Sequence, residues 1–183
     1  MPIRIIGGSS GGRRLIGAPR TGLRPTTDRV RESMFAMLEA ADTDFSNVLD
    51  LYSGTGALGI EALSRGDGRC DFVEADSKTA EVIRQNLMRT VLWDRAKVYA
   101  LQVAKALPRL KGPYTLVVAD PPYEYDRAES ELTSVVELGL LAEDGVVVVE
   151  HSKRHEWPET LATLRRVDVR KYGDTRVSLY RKT

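Results

Sequence analysis

Cysteine, histidine and long apolar runs are what this sequence has least of. Its single Cys70 cannot close an internal disulfide, and two histidines in 183 residues offer no Cys/His spacing of the kind that holds zinc. A disulfide-stapled or metal-organised scaffold is therefore excluded, and no metal is expected. No apolar stretch approaches the ~20 residues that a membrane-spanning helix requires. The opening Met1-Pro-Ile-Arg-Ile-Ile runs directly into glycine and arginine and has no leader-peptide layout. A reducing cytoplasm, with no membrane partner, is the expectation. What is present is an ordinary globular composition, 42% hydrophobic and 29% charged, sufficient for one well-cored domain.

The net charge of +1 hides an asymmetry. Residues 1–31 carry seven arginines (Arg4, Arg13, Arg14, Arg20, Arg24, Arg29 and Arg31) against one acid, Asp28, so the remainder sums to −5. A basic arm on a mildly acidic body suits phosphate binding, because guanidinium forks match phosphate oxygens. Gly7, Gly8, Gly11, Gly12, Gly17 and Gly22 in the same segment fit a small hairpin, with strands near 2–7 and 12–17.

From Thr27 onward apolar residues recur at helical spacing, and the chain then alternates strands and helices. Strands are expected at 48–52, 71–74, 97–101, 115–119 and 145–149, with helices near 57–65, 77–89, 102–107 and 127–138. Two alternating segments, 167–172 and 175–180, flank Gly173-Asp174, a hairpin signal. Repeated βα units build a parallel sheet covered on both faces. The expected fold is α/β: a Rossmann-like, doubly wound, mostly parallel seven-stranded sheet with a C-terminal antiparallel hairpin and a small N-terminal β-hairpin extension. The expected division is a basic RNA-binding extension over 1–26 and a catalytic domain over 27–183.

Between the first strand and its helix lies Asp50-Leu-Tyr-Ser-Gly-Thr-Gly-Ala-Leu-Gly59, in which Gly54, Gly56 and Gly59 spell G-x-G-x-x-G. In that setting Gly54 permits a tight turn, Gly56 a close ligand approach, and Gly59 close helix–strand packing. Glu74 follows at the end of the second strand, where a carboxylate can accept hydrogen bonds from both ribose hydroxyls of an adenosine. A pyrophosphate cofactor would be ill served by Asp50 at the loop entrance. S-adenosylmethionine, with an ammonium group and a cationic sulfur, is better served.

Asp120-Pro121-Pro122-Tyr123 follows the last strand of the same crevice. Two prolines stiffen the loop and remove two N–H donors, leaving an acid, carbonyls and an aromatic ring. A flat substrate with an NH₂ group fits: Asp120 and the Pro121 carbonyl accept its hydrogens, and Tyr123 stacks on its ring. The chemistry is methyl transfer to an exocyclic nitrogen, governed by orientation and electrostatics.

Residues 50–66 together with 120–123 resemble class I methyltransferases acting on amino nitrogens. Arg24-Pro-Thr-Thr-Asp-Arg-Val-Arg-Glu32 and Lys171-Tyr-Gly-Asp-Thr175 narrow the resemblance to the bacterial RsmD family over nearly the whole chain. That resemblance implies a monomeric enzyme that methylates N2 of a flipped-out guanine in 16S rRNA, within an assembled or nearly assembled small ribosomal subunit. It assigns Tyr52, Ser53, Gly54, Thr55, Gly56 and Gly59 to the methionine and sugar, Glu74 to the ribose, and Asp120 through Tyr123 to the guanine. Where related enzymes carry Asp or Asn after the third strand, this chain has Gln102-Val103-Ala104. Adenine is therefore expected to meet backbone of Val103 and Ala104, with Ala75 lining the pocket.

His151 and His155 are expected at the surface, and Trp93, Trp157 and Cys70 in packing. Two other readings use the same residues: a DNA adenine-N6 or cytosine-N4 methyltransferase, and a non-catalytic RNA-binding module.

Overall fold

The computed structural model describes residues 3–17 and 27–183. Helix α1 (Asp28–Ala40) is followed by β1 (Asn47–Leu51), α2 (Ala57–Arg65), β2 (Arg69–Val73), α3 (Ser77–Thr90) and β3 (Ala96–Tyr99). Then come α4 (Val103–Ala106), β4 (Tyr114–Ala119), α5 (Ala128–Glu137), β5 (Leu141–Ser152), β6 (Thr160–Leu161), β7 (Leu164–Tyr172) and β8 (Thr175–Arg181). The helix starts are set by polar caps. Thr27 Oγ1 accepts the Val30 N–H at 3.3 Å, and Asp76 Oδ1 accepts the Thr79 N–H at 2.8 Å, each satisfying a donor that has no partner within its helix.

One sheet runs in the order β3-β2-β1-β4-β5-β8-β7-β6. The first five strands are parallel, and β8, β7 and β6 are antiparallel. Eight strands stand where seven are expected. The addition is β6, a two-residue strand too short to carry an alternation signal; it turns into β7 through Ala162 at φ 50°. A second difference is that β5 begins at Leu141, four residues before the apolar run, with a register shift against β4.

The period of two divides the core between the two sheet faces. Val48, Leu116, Val118, Val146 and Val148 pack with Val30, Met34, Phe35, Ile60 and Ile83, beneath α1, α2 and α3. Leu49, Leu51, Val117, Val147 and Val149 pack on the other face with Val103, Ala106, Leu132 and Val135 of α4 and α5. Helices on both faces explain why the central strands read as continuous apolar runs.

The N-terminal hairpin has a single ladder bridge, Arg4 to Arg14, extended by Ile5 N–H to the Arg13 carbonyl at 2.9 Å and Leu15 N–H to the Ile3 carbonyl at 2.8 Å. Ile5 and Leu15 are buried in the α1–α3 core. The buried Glu61 of α2 accepts the N–H groups of Ile6 and Gly7, both at 2.8 Å. The buried Asn86 of α3 accepts from Ile16 N–H at 2.7 Å and donates to the Ile16 carbonyl at 3.0 Å. Residues 3–17 thus share the core of the domain that follows.

Two tryptophans part company. Trp157 is buried, whereas Trp93 is 50% exposed beside the exposed Met88 and Val91, so the packing expected of Trp93 is corrected. Among the described residues, no helix is long and apolar enough to cross a membrane.

Candidate active site

The order 3-2-1-4-5 reverses direction between β1 and β4, and ligands of open α/β sheets bind outside the carboxyl ends of the strands at such a switch point. A cavity of about 300 Å³ opens there, lined by Tyr52 and Gly54 after β1, Glu74 and Ala75 after β2, Gln102 and Val103 after β3, and Asp120 and Pro122 after β4. Val73, Asp76, Thr79, Tyr125 and Arg127 complete it. Glu74 and Asp120, 46 positions apart in the chain, face one space because β1 lies between their strands.

Glu74 anchors the glycine loop. Its Oε2 accepts the Gly54 N–H and its Oε1 the Asp76 N–H, each at 2.9 Å. An ionised carboxylate has about four lone-pair positions, so capacity remains for two ribose hydroxyls. Gly54 (φ 54°) and Gly56 (φ 80°) hold the loop in left-handed backbone, with Gly56 capping α2. Gly59 serves packing: a Cβ there would lie 2.4 Å from the Phe72 ring and 2.8 Å from Cys70 Sγ. Any side chain would push α2 off β2.

Asp50, Ser53, Thr55, Gly56, Gly59 and Ala104 are not among the cavity walls. Asp50 is 1% exposed and its Oδ2 accepts the Gly59 N–H at 2.8 Å. It fastens the first turn of α2 from beneath, which corrects the expectation that it meets the methionine ammonium directly. Ser53 is likewise inward: its hydroxyl donates to the Asp50 carbonyl at 2.6 Å and accepts the Val73 N–H at 3.0 Å. The Thr55 carbonyl accepts from Asn86 at 2.9 Å, and Ala104 faces solvent on the first turn of α4. These residues shape the loop, and Glu74, Gly54 and Tyr52 present it.

Burial pushes the Asp50 carboxyl up to about 8, helped by the charges of Asp120 and Glu74 and opposed by the Gly59 and Ser53 hydrogen bonds. The protonated form is thus favoured by folding, so its contribution to stability is full near pH 4 and falls as pH rises towards 8. Asp50→Asn should remove that dependence. The stability of the natural protein relative to the variant is expected to decline between pH 5 and pH 8.5, as read from paired urea unfolding curves.

Sequence reasoning missed the acid that organises the far wall. Glu131 of α5 is buried and accepts the Tyr52 hydroxyl at 2.5 Å and the Tyr125 hydroxyl at 3.0 Å, while the two rings meet edge to face at 5.7 Å. Nothing near Glu131 in sequence marks it, since its partners lie on two separate loops. Gln102, passed over in favour of its neighbours' backbone, lines the cavity with an amide that can donate and accept.

In the Asp-Pro-Pro-Tyr turn, the Pro122 carbonyl accepts the Tyr125 N–H at 2.9 Å. Pro121, Pro122 and Tyr123 border a second, shallow cleft with His151, His155 and Trp157. Tyr123 is 41% exposed, and its hydroxyl is 2.8 Å from Thr175 Oγ1 of β8. The turn is thereby braced against the terminal hairpin. His151 is buried, with Nε2 2.8 Å from Ser178 Oγ, which corrects its expected surface position. Burial lowers its pKa to about 4.

Of the seven arginines, Arg20 and Arg24 lie outside the described residues. Arg4, Arg13, Arg14 and Arg29 are exposed, with Arg4 Nε 3.0 Å from Asp28 and Arg13 donating to the Arg89 carbonyl at 2.9 Å. Arg31, in the first turn of α1, is fully buried, paired with Asp28 at 2.8 Å and donating to the Arg4 carbonyl at 2.5 Å. It cannot reach a phosphate, so its assignment to RNA is corrected: it ties the hairpin to α1. Among the described residues, no group of His, Cys, Asp and Glu is placed to hold a metal ion.

This sheet order, with a glycine loop after β1, an acid after β2 and Asp-Pro-Pro-Tyr after β4, defines a class I methyltransferase. The chain belongs to the family described as Conserved hypothetical protein 95, which it matches over residues 3–181. It is 39% identical to YlbH of Bacillus subtilis over 98% of this chain and 99% of that relative. It is 35% identical to "Ribosomal RNA small subunit methyltransferase D" of Escherichia coli, over 85% of this chain and 78% of that relative. The solved structure of yhhF from Escherichia coli superposes with a TM-score of 0.86 at 32% identity, covering 100% and 98% of the two chains.

Proposed function

We propose that this protein transfers the methyl group of S-adenosylmethionine to the exocyclic N2 of a guanine in 16S rRNA of the small ribosomal subunit, acting as a cytoplasmic monomer on the assembled or nearly assembled particle. The observation that carries the reading is the convergence of Glu74 and Asp120 on one cavity at the sheet's switch point. The relatives named as small-subunit rRNA methyltransferases support the substrate class and do not favour a DNA substrate.

Glu74 fits the ribose hydroxyls, Gln102 and the apolar Val103 and Ala75 fit the adenine, and Gly54 and Tyr52 approach the methionine end. The bound cofactor supplies a methyl group activated by its sulfonium charge. The protein's part is to make a poor nucleophile competent. The guanine amine lone pair is delocalised into the ring. Acceptance of its two hydrogens by the Asp120 carboxylate and the Pro121 carbonyl localises the pair and aims it in line with the breaking S–CH₃ bond. As the N–C bond forms, the nitrogen becomes cationic and its surplus proton passes to Asp120 or water.

The test is incubation with labelled S-adenosylmethionine and small subunits, naked 16S rRNA or DNA, followed by nucleoside analysis. N2-methylguanosine from small subunits supports the reading; label only in DNA, or in another base, overturns it. The exposed arginines supply a second check. Phosphate binding releases counterions, so replacing Arg13, Arg14 and Arg29 together by Gln should weaken subunit binding. Its log–log salt dependence should flatten by ~0.7–0.9 for each phosphate no longer neutralised. An unchanged slope would place the RNA elsewhere.

A further inference from the structure

We propose that the cavity between α1 and the β7–β8 turn seats the target guanine, with Glu150 accepting its N1–H and so selecting guanine among the bases that carry an amine. The proposal rests on the guanine-N2 reading above. Every amine-bearing base other than guanine places a bare ring nitrogen beside its exocyclic NH₂: N1 in adenine, N3 in cytosine. Only guanine has a neighbouring ring nitrogen that carries hydrogen. An acceptor next to the amine-binding group therefore welcomes guanine and sets lone pair against lone pair for the other two.

Glu150 stands in that position. Ala119 pairs with Val149 on adjacent parallel strands, which lie about 4.8 Å apart; Glu150 follows within β5, and Asp120 follows as the first residue past β4. Val146 and Val148 pack under α1–α3, and the period of two carries Glu150 of the same strand to that face. Asp120 borders the cofactor cavity, and Glu150 borders a second cavity of about 280 Å³ with Thr27, Arg29, Lys171, Tyr172 and Thr175. Its volume is nearly twice the ~150 Å³ that admits a benzene ring, so a two-ring base fits. Thr175 also holds the Tyr123 hydroxyl, which joins this cavity to the Asp-Pro-Pro-Tyr turn.

Glu150 is 4% exposed and interacts electrostatically with the buried Arg31 guanidinium, which compensates its charge and keeps the acceptor in place. Arg29 and Lys171 are exposed at the rim, where the phosphates flanking a flipped nucleotide would lie. The acceptor pair, Asp120 for N2 and Glu150 for N1, thus comes from the turn after β4 and the last part of β5, with cations at the entrance.

The experiment uses small subunits reconstituted with ligated rRNA carrying guanine or 2-aminopurine at the target. 2-Aminopurine keeps the N2 amine and lacks the N1 hydrogen. A site built around a hydrogen bond rejects an analogue that lacks it, so the natural enzyme is expected to prefer guanine by at least ~100-fold in kcat/KM. In Glu150→Gln, whose amide can donate to a bare N1, the preference should fall below ~10-fold, with cofactor affinity unchanged as the measure of folding. Glu150→Asp, which keeps the charge beside Arg31, should retain the preference at a lower kcat. A natural enzyme indifferent to 2-aminopurine, or a folded Glu150→Gln with full discrimination, overturns the proposal. Nucleoside analysis of unmodified subunits separates this failure from that of the guanine-N2 reading, which would appear as methylation of another base or none.

Discussion

Asp120→Ala is expected to lower methyl transfer by ~10³-fold while leaving the S-adenosylmethionine dissociation constant nearly unchanged. The separation follows from geometry. Glu74, Gln102 and Val103 line the cavity from the ends of β2 and β3, and Asp120 and Pro122 line it from the turn after β4. Removing the carboxylate takes away the acceptor that localises the amine lone pair but leaves the groups that fit the ribose and adenine in place. Asp120 also raises the pKa of Asp50 through its charge; its removal should ease the charge burden on the buried acid, so a fall in activity cannot be ascribed to a weakened loop. Single-turnover rates with small subunits, alongside calorimetric cofactor titration, provide the readout. Retained turnover would remove Asp120 from the reaction.

Glu61→Ala is the substitution with the largest expected cost to stability, about 3 kcal/mol. Glu61 is fully buried and satisfies the Ile6 and Gly7 N–H groups and Arg65 Nε, each at 2.8 Å. Alanine would leave the two backbone donors with their Glu61 acceptor gone, and would leave Arg65 its pairing to Glu39 at 2.7 Å and its seat over the Phe35 ring at 5.1 Å. The hairpin, which buries Ile5 and Leu15, would lose its principal polar tether to α2. Urea unfolding should show the destabilisation, and limited proteolysis should find residues 3–17 newly susceptible. A shift below ~1 kcal/mol would mean that the hairpin is held by Asn86 and apolar packing instead. The result bears on function, because deletion of the hairpin to test RNA binding would also open the core; exposed-arginine substitutions test it cleanly.

Much of the architecture was legible from local pattern. The apolar runs at 48–52, 115–119 and 145–149, the glycine spacing at 54–59 and the Gly173-Asp174 turn are each short-range signals, and each lies in the element it indicated. Two of the errors share a cause. Asp50 and Arg31 are charged residues assigned to ligands because charge ordinarily seeks solvent or a substrate. Both are buried, because a backbone donor in one case, and Asp28 with a carbonyl in the other, waits for them in the folded chain. Asp28 is a local i,i+3 neighbour of Arg31, but the Arg4 carbonyl and the burial of both side chains could not be located without the fold.

The βα alternation, the glycine loop with its acid, and the stiff turn at 120–123 are written in local sequence, since each depends on neighbours within a few residues or on one βα unit. Long-range packing settles which acids face the cavity, which arginines reach solvent, and that Glu131 holds the hydroxyls of Tyr52 and Tyr125. Those outcomes depend on strand order and register, which bring residues dozens of positions apart to adjacent strand ends and send their side chains to one face or the other.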